Sequence, residues 1–169
     1  MSDLAPLARK FLETCKARRI LVATAESCTG GGIIALMTDM PGSSSMVDRG
    51  FVTYSNDAKI EMLGVSPETL ERHGAVSRET ALEMATGALA RSNADIALAV
   101  TGIAGPDGGS EEKPVGLVWF GIAMTGREPQ AERKLFENHG RDFVRRETVR
   151  HALVMGLHAL GDQETAGGP

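Results

Sequence analysis

The sequence predicts an α/β protein, a three-layer α/β/α sandwich around a mixed sheet that is parallel early and antiparallel late. Three observations carry that expectation. Apolar runs at Ile20–Ala23, Met46–Tyr54 and Asp95–Thr101 alternate with segments of helical periodicity, the pattern of strands joined by helices. The first and third runs lead into glycine-rich turns, Gly30-Gly31-Gly32 and Gly102 to Gly109. A long run, Val115–Met124, then turns at Thr125–Pro129 into Ala131–Glu137, as in an antiparallel pair.

The elements follow in order. Asp3 is a candidate cap for a first helix in which Leu4, Leu7, Ala8, Phe11, Leu12 and Cys15 recur at helical spacing, so Cys15 belongs to the core. A short strand ending at Thr24 passes through Ser27 to a buried helix from Gly32 to Met37, and Met40-Pro41-Gly42 with three serines stops it in a candidate mobile loop. In the next strand Val52 and Tyr54 share a face. Ser55 or Asn56 caps a helix that Gly64 closes, with Lys59 near its start. Ser66-Pro67 begins a helix that Gly74 stops, and Ser77 begins another with Ala81, Leu82, Met84, Ala85, Ala88 and Leu89 inward and its end near Asn93. The strand 131–137, with Glu132, Lys134 and Glu137 outward, reads as an edge. Asn138–Asp142 leads into the last helix, with a buried stripe of Val149, Ala152, Leu153, Gly156, Leu157 and Leu160 and with Arg141 near its start.

With 169 residues, 42% of them apolar, the chain can bury a full core, and no internal repeat divides it. Residues 1–160 read as one domain and residues 161–169 as a flexible tail. A net charge of −4 excludes a broad nucleic-acid-binding surface. No apolar run is long enough to span a membrane, and the acidic N-terminus does not resemble a secretory signal. Two cysteines, Cys15 and Cys28, fit a reducing cytoplasm. His151 and His158 lie two turns apart without the cysteine or carboxylate spacing of a metal site, and His73 reads as solvated, so neither metal nor cofactor is expected. The edge strand gives a homo-oligomer as an expectation.

The candidate centre is Ala23 to Gly32, where small and polar residues join strand to helix and place Ser27 at the mouth of the turn. Glycines there admit a ligand close to the backbone, and unpaired N–H groups at the helix start favour an anion. Equally, Ser27 or Thr29 is a helix cap and the glycines serve packing. Cys28 is a rival nucleophile, since a helix start lowers a thiol pKa. Lys59 by spacing alone is an exposed surface lysine.

Three segments in one order, Thr24 to Gly31 (TAESCTGG), Val52 to Lys59 (VTYSNDAK) and Val100 to Gly109 (VTGIAGPDGG), closely resemble the CinA C-terminal domain family, and the likeness extends through Gly140-Arg141. That family includes nicotinamide-mononucleotide amidohydrolases with an α/β/α fold. The resemblance implies a stand-alone form that converts the nucleotide to nicotinate mononucleotide and ammonia. It places the catalytic serine on Ser27, the tyrosine on Tyr54, the lysine on Lys59 and the active-site arginine on Arg141. Thr29, Gly30, Gly31, Thr101, Gly102 and Gly105 then fall on substrate-binding loops. Lys59 would act as base directly or through Tyr54, and Arg141 would hold the phosphate or polarise the reacting group. The alternative from another class is a non-catalytic nucleotide-binding or regulatory module built on the same loops.

Overall fold

The computed structural model describes residues 2–161, so all of the expected tail except Gly161 lies outside the described residues. Five strands form one sheet in the order β2-β1-β3-β4-β5. They are β1 (Val22–Glu26), β2 (Val47–Val52), β3 (Ile96–Gly102), β4 (Leu117–Met124) and β5 (Gln130–Leu135). The pairs β1–β2 and β1–β3 are parallel, whereas β3–β4 and β4–β5 are antiparallel. The expected mixed sheet is therefore present.

Helices α1 (Ala5–Arg18), α2 (Gly32–Thr38) and α6 (Arg141–Ala159) cover one face. Helices α3 (Asn56–Leu63), α4 (Pro67–His73) and α5 (Arg78–Ala90) lie on the other. The two faces have different side chains because strand residues alternate sides. Val22, Ile96, Leu98, Val100, Val118, Phe120 and Ile122 pack toward α1 and α6. Ala23, Ala25, Ala97, Ala99 and Ala123 pack toward α5. This small-residue face lets α5 approach closely: a Cβ at Gly121 would lie 2.1 Å from the Ala81 carbonyl oxygen.

Several boundaries follow the expected caps. Ser55 Oγ accepts from Ala58 N–H at 3.0 Å, Gly64 ends α3 at φ 70°, and Ser77 Oγ accepts from Thr80 N–H at 3.2 Å. Asp3 does not cap α1: a single 3₁₀ turn at Ser2–Leu4 precedes the helix, and Leu4 is its capping residue with no side-chain bond. The first strand runs to Glu26 rather than Thr24, because Thr53 N–H donates to the Glu26 carbonyl and Ser27 N–H to that of Val100, so pairing on both sides carries it onward. Helix α5 ends at Ala90, before Asn93, where Ser92 Oγ turns back to the Ala88 carbonyl. On β5, Glu132 and Lys134 are half-buried rather than exposed, and Glu132 accepts from Lys134 and meets His151 Nε2 at 2.9 Å.

The sheet order places a site. From β1 the chain moves to β2 on one side, then crosses to β3 on the other. The carboxyl ends of β1 and β3 thus flank the topological switch point, where open α/β sheets form a crevice. Ser27 follows one of these strands, and Thr101 and Gly102 end the other.

Candidate active site

The turn after β1 is built around a buried carboxylate. Glu26 is fully buried and accepts four hydrogen bonds, from Thr24 Oγ1 (3.2 Å), Thr29 Oγ1 (2.6 Å), Ile33 N–H (2.9 Å) and Ile34 N–H (2.9 Å). Helix α2 begins at glycine without a capping side chain next to it, and Glu26 supplies that function from the preceding strand. The expectation that this helix start keeps its N–H groups for an anion is thereby corrected, since the protein's own carboxylate occupies two of them. Gly30 and Gly31 turn the chain at φ 58° and 96°, conformations that side chains resist. Backbone bonds engage the N–H groups of Ser27, Gly30 and Gly32, leaving those of Cys28, Thr29 and Gly31 outside that network.

Lys59 reaches this turn from α3. It is 1% exposed, and its Nζ lies 3.0 Å from Ser27 Oγ, 2.9 Å from the Thr53 carbonyl oxygen and 3.5 Å from that of Tyr54. The reading of Lys59 as a surface residue is corrected. All three oxygens belong to neutral groups, so no carboxylate partner offsets the cost of burying an ammonium ion. Burial accordingly pushes the Lys59 pKa below the ordinary 10.5. Cys28 moves the opposite way: burial raises its thiol pKa to about 12, and the nearby Glu26 carboxylate adds to the rise. The thiolate is disfavoured despite the helix start, which corrects the expected activation of Cys28.

Tyr54 and Arg141 close the mouth. Arg141 Nη2 donates to Tyr54 Oη at 3.1 Å, and its Nη1 donates to the Gly105 carbonyl at 2.8 Å. One guanidinium thus ties three loops together. Thr101 Oγ1 donates to the Ala75 carbonyl at 2.7 Å, joining the end of β3 to the link between α4 and α5. Between these groups lies a cavity of about 270 Å³ bordered by Ser27, Tyr54, Lys59, Thr101, Gly102 and Arg141. Cys28, Asn56, Ala75, Val76 and Ala104 complete its wall.

Of the residues assigned from the sequence, Thr29, Gly30, Gly31 and Gly105 are not in that wall. Thr29 is buried beneath it, bonded to Glu26, with its carbonyl accepting from Arg145 Nη2 at 2.9 Å. Gly105 serves through its carbonyl.

The family model for the CinA C-terminal domain matches residues 4–160. The chain belongs to this family. A CinA-family relative from Escherichia coli strain K12, named nicotinamide-nucleotide amidohydrolase PncC, is 52% identical over 152 residues, which span 90% of this chain and 92% of that protein. A protein of the same name from Enterobacter agglomerans is 62% identical over 143 residues, 84% of this chain and 86% of its own. The crystal structure of a competence/damage inducible protein from Agrobacterium tumefaciens superposes with a TM-score of 0.90 at 53% identity, covering 94% of this chain and 96% of the other.

Glu26, Asn56, Val76 and Arg145 of this CinA-family chain had no site role from the sequence alone. Glu26 stood within the quoted stretch, and the absence of a capping side chain beside Gly32 was the available signal. Asn56 adjoined a cap. Val76 and Arg145 carry no local signal, because only the packing of α5 and α6 brings them to this end of the sheet. Among the described residues no group of histidine, cysteine or acidic side chains is arranged to hold a metal ion, and no helix is long and apolar enough to cross a membrane.

Proposed function

We propose that this protein hydrolyses the carboxamide of nicotinamide mononucleotide, giving nicotinate mononucleotide and ammonia, with Ser27 as nucleophile and Lys59 as base. The observation that carries the reading is the 3.0 Å contact between Ser27 Oγ and a buried Lys59 Nζ whose pKa is lowered. A neutral amine has two hydrogens and one lone pair. The Thr53 and Tyr54 carbonyls take the hydrogens, which leaves the lone pair facing the Ser27 hydroxyl. After proton transfer the same carbonyls and Oγ accept from all three hydrogens of the ammonium. Lys59 touches the backbone of Tyr54, and the Tyr54 phenol is held by Arg141, so direct transfer from Ser27 to Lys59 is favoured over a relay through the phenol.

Ser27 Oγ attacks the carboxamide carbon as its proton passes to Lys59 Nζ. Lys59 returns that proton to the nitrogen, the C–N bond breaks, and ammonia leaves an ester on Ser27. Water then adds to the ester, with Lys59 accepting a proton and returning it to Oγ as nicotinate mononucleotide departs. The oxyanion formed at each stage needs preorganised donors, each worth roughly 3 kcal/mol. The N–H groups of Cys28, Thr29 and Gly31 are the candidates, because the backbone network of the turn does not use them. The names of the CinA-family relatives support the same substrate class.

The test compares ammonia and nicotinate-mononucleotide formation by wild type and folded Ser27→Ala. Turnover in the wild type that the variant loses supports the assignment. Binding of the nucleotide by wild type without product would replace it with the non-catalytic nucleotide-binding module.

A further inference from the structure

A second, larger cavity of about 650 Å³ adjoins the catalytic one, and Val76 lines both. Trp119 is part of its wall on the α5 side of the sheet. It pairs in register with Thr101, whose hydroxyl points to Ala75, so the two side chains share a face. The first turn of α5, with Arg78, forms another part, and Lys113 from the loop before β4 a third.

We propose that this cavity receives the phosphate end of the nucleotide substrate, an inference that rests on the amidase reading above. In a pyridine mononucleotide the carboxamide and the phosphate stand at opposite ends, separated by the ring and the ribose. With the carboxamide at Ser27, the phosphate falls a ring and a ribose away from it. Of the cations around the catalytic cavity, Lys59 must be neutral to act, Arg141 is held across the mouth by Tyr54 and Gly105, and Arg145 is turned to the Thr29 carbonyl with its Nε buried. Arg78 is exposed and lines the larger cavity, with no hydrogen bond or ion pair to another side chain among the described residues. Lys113 Nζ spends one hydrogen on the His73 carbonyl at 2.6 Å, which fixes its position and leaves two for a ligand. Two carboxylates also border the space. Glu79 lies 3.6 Å from His73 Nδ1, and Glu112 precedes Lys113. A guanidinium and an ammonium lining one cavity beside the start of a helix suit a phosphate dianion, and the half-buried indole offers the ribose an apolar surface.

The experiment measures kcat/KM of wild type, Arg78→Ala, Lys113→Ala and Arg78→Lys on nicotinamide mononucleotide and on nicotinamide riboside, which lacks the phosphate. The ratio of the two constants, mononucleotide over riboside, is expected to fall about tenfold in each alanine variant and to recover in part in Arg78→Lys. A general loosening of the loop would lower both constants together and leave the ratio where it was. An active wild type with an unchanged ratio in both alanine variants overturns the cavity assignment alone. A wild type that releases ammonia from neither substrate overturns the amidase reading, and this inference with it.

Discussion

The two glycine-rich segments that follow β1 and β3 look alike as sequence, yet the structure uses them for different ends. After β1, Gly30 and Gly31 are present for backbone conformation, at φ 58° and 96°; a Cβ would meet only Arg145 Nη2 at 3.7 Å on the first and a Val52 methyl at 3.3 Å on the second as its nearest neighbour. At the end of β3, a Cβ on Gly102 would meet Val118 Cγ2 at 2.7 Å and the Leu117 carbonyl at 2.9 Å, and beyond it one on Gly105, itself at φ 80°, would meet Val115 at 2.6 Å. The first segment is a turn held by a buried carboxylate, and the second is a loop pressed against β4. In both, glycine answers the chain's own geometry. The reactive groups come from side chains, and two of them, Lys59 and Arg141, arrive from helices that belong to neither segment.

The largest effect that would sharpen this contrast is at Lys59, the group delivered to the first turn. Lys59→Ala is expected to lower kcat/KM about 10³-fold, measured as ammonia release. In wild type the rate rises with pH as Lys59 loses its proton, and the variant lacks that limb. Stability carries the same sign. The folded pKa lies below the unfolded value, so between the two the unfolded state binds more protons and stability rises with pH up to about 10.5. A urea-midpoint series that fell across that range in wild type relative to Lys59→Ala would contradict the assignment.

Next in size is Glu26→Gln, which breaks the carboxylate scaffold of the first turn. An amide presents an N–H₂ group where the carboxylate accepts from two backbone N–H groups and two hydroxyls, at an expected cost of about 2 kcal/mol in urea unfolding. Smaller again is the paired test of the glycines. Gly102→Ala forces a methyl against backbone and should cost about 2 kcal/mol, whereas Gly30→Ala meets nothing nearer than Arg145 Nη2 at 3.7 Å and should cost about 1 kcal/mol for its left-handed conformation. Equal losses would erase the distinction between turn and packed loop. The least disturbing test leaves the sequence intact. With its pKa raised to about 12, the buried Cys28 thiol should resist iodoacetamide at pH 8 in the folded protein and react once urea unfolds it, as followed by mass spectrometry.

Sequence legibility varied with how local the cause was. Ser55, Gly64 and Ser77 act on residues within one helical turn, so their caps could be read directly, and the buried stripes of α1 and α6 followed from periodicity. Asp3 misled because a 3₁₀ turn intervenes before the helix. Lys59 stood near a helix start among polar neighbours, where spacing alone gave a surface position. Its burial depends on Thr53 and Ser27, which lie 6 and 32 residues away. Thr29 carried the opposite ambiguity, since a residue assigned to a ligand loop bonds inward to Glu26.

The sequence by itself determined the alternation of strands and helices, the mixed sheet, the two glycine segments and the likeness to the CinA C-terminal domain family, because each is written in short-range pattern. Only the tertiary structure decided which side chains meet. Parallel pairing brings the carboxyl ends of β1, β2 and β3 to one end of the sheet, so Ser27, Thr53 and Thr101 become neighbours. The packing of α3 and α6 at that end then buries Lys59 beside Ser27 and ties Arg141 across the mouth, contacts between residues far apart in the chain that no local spacing encodes.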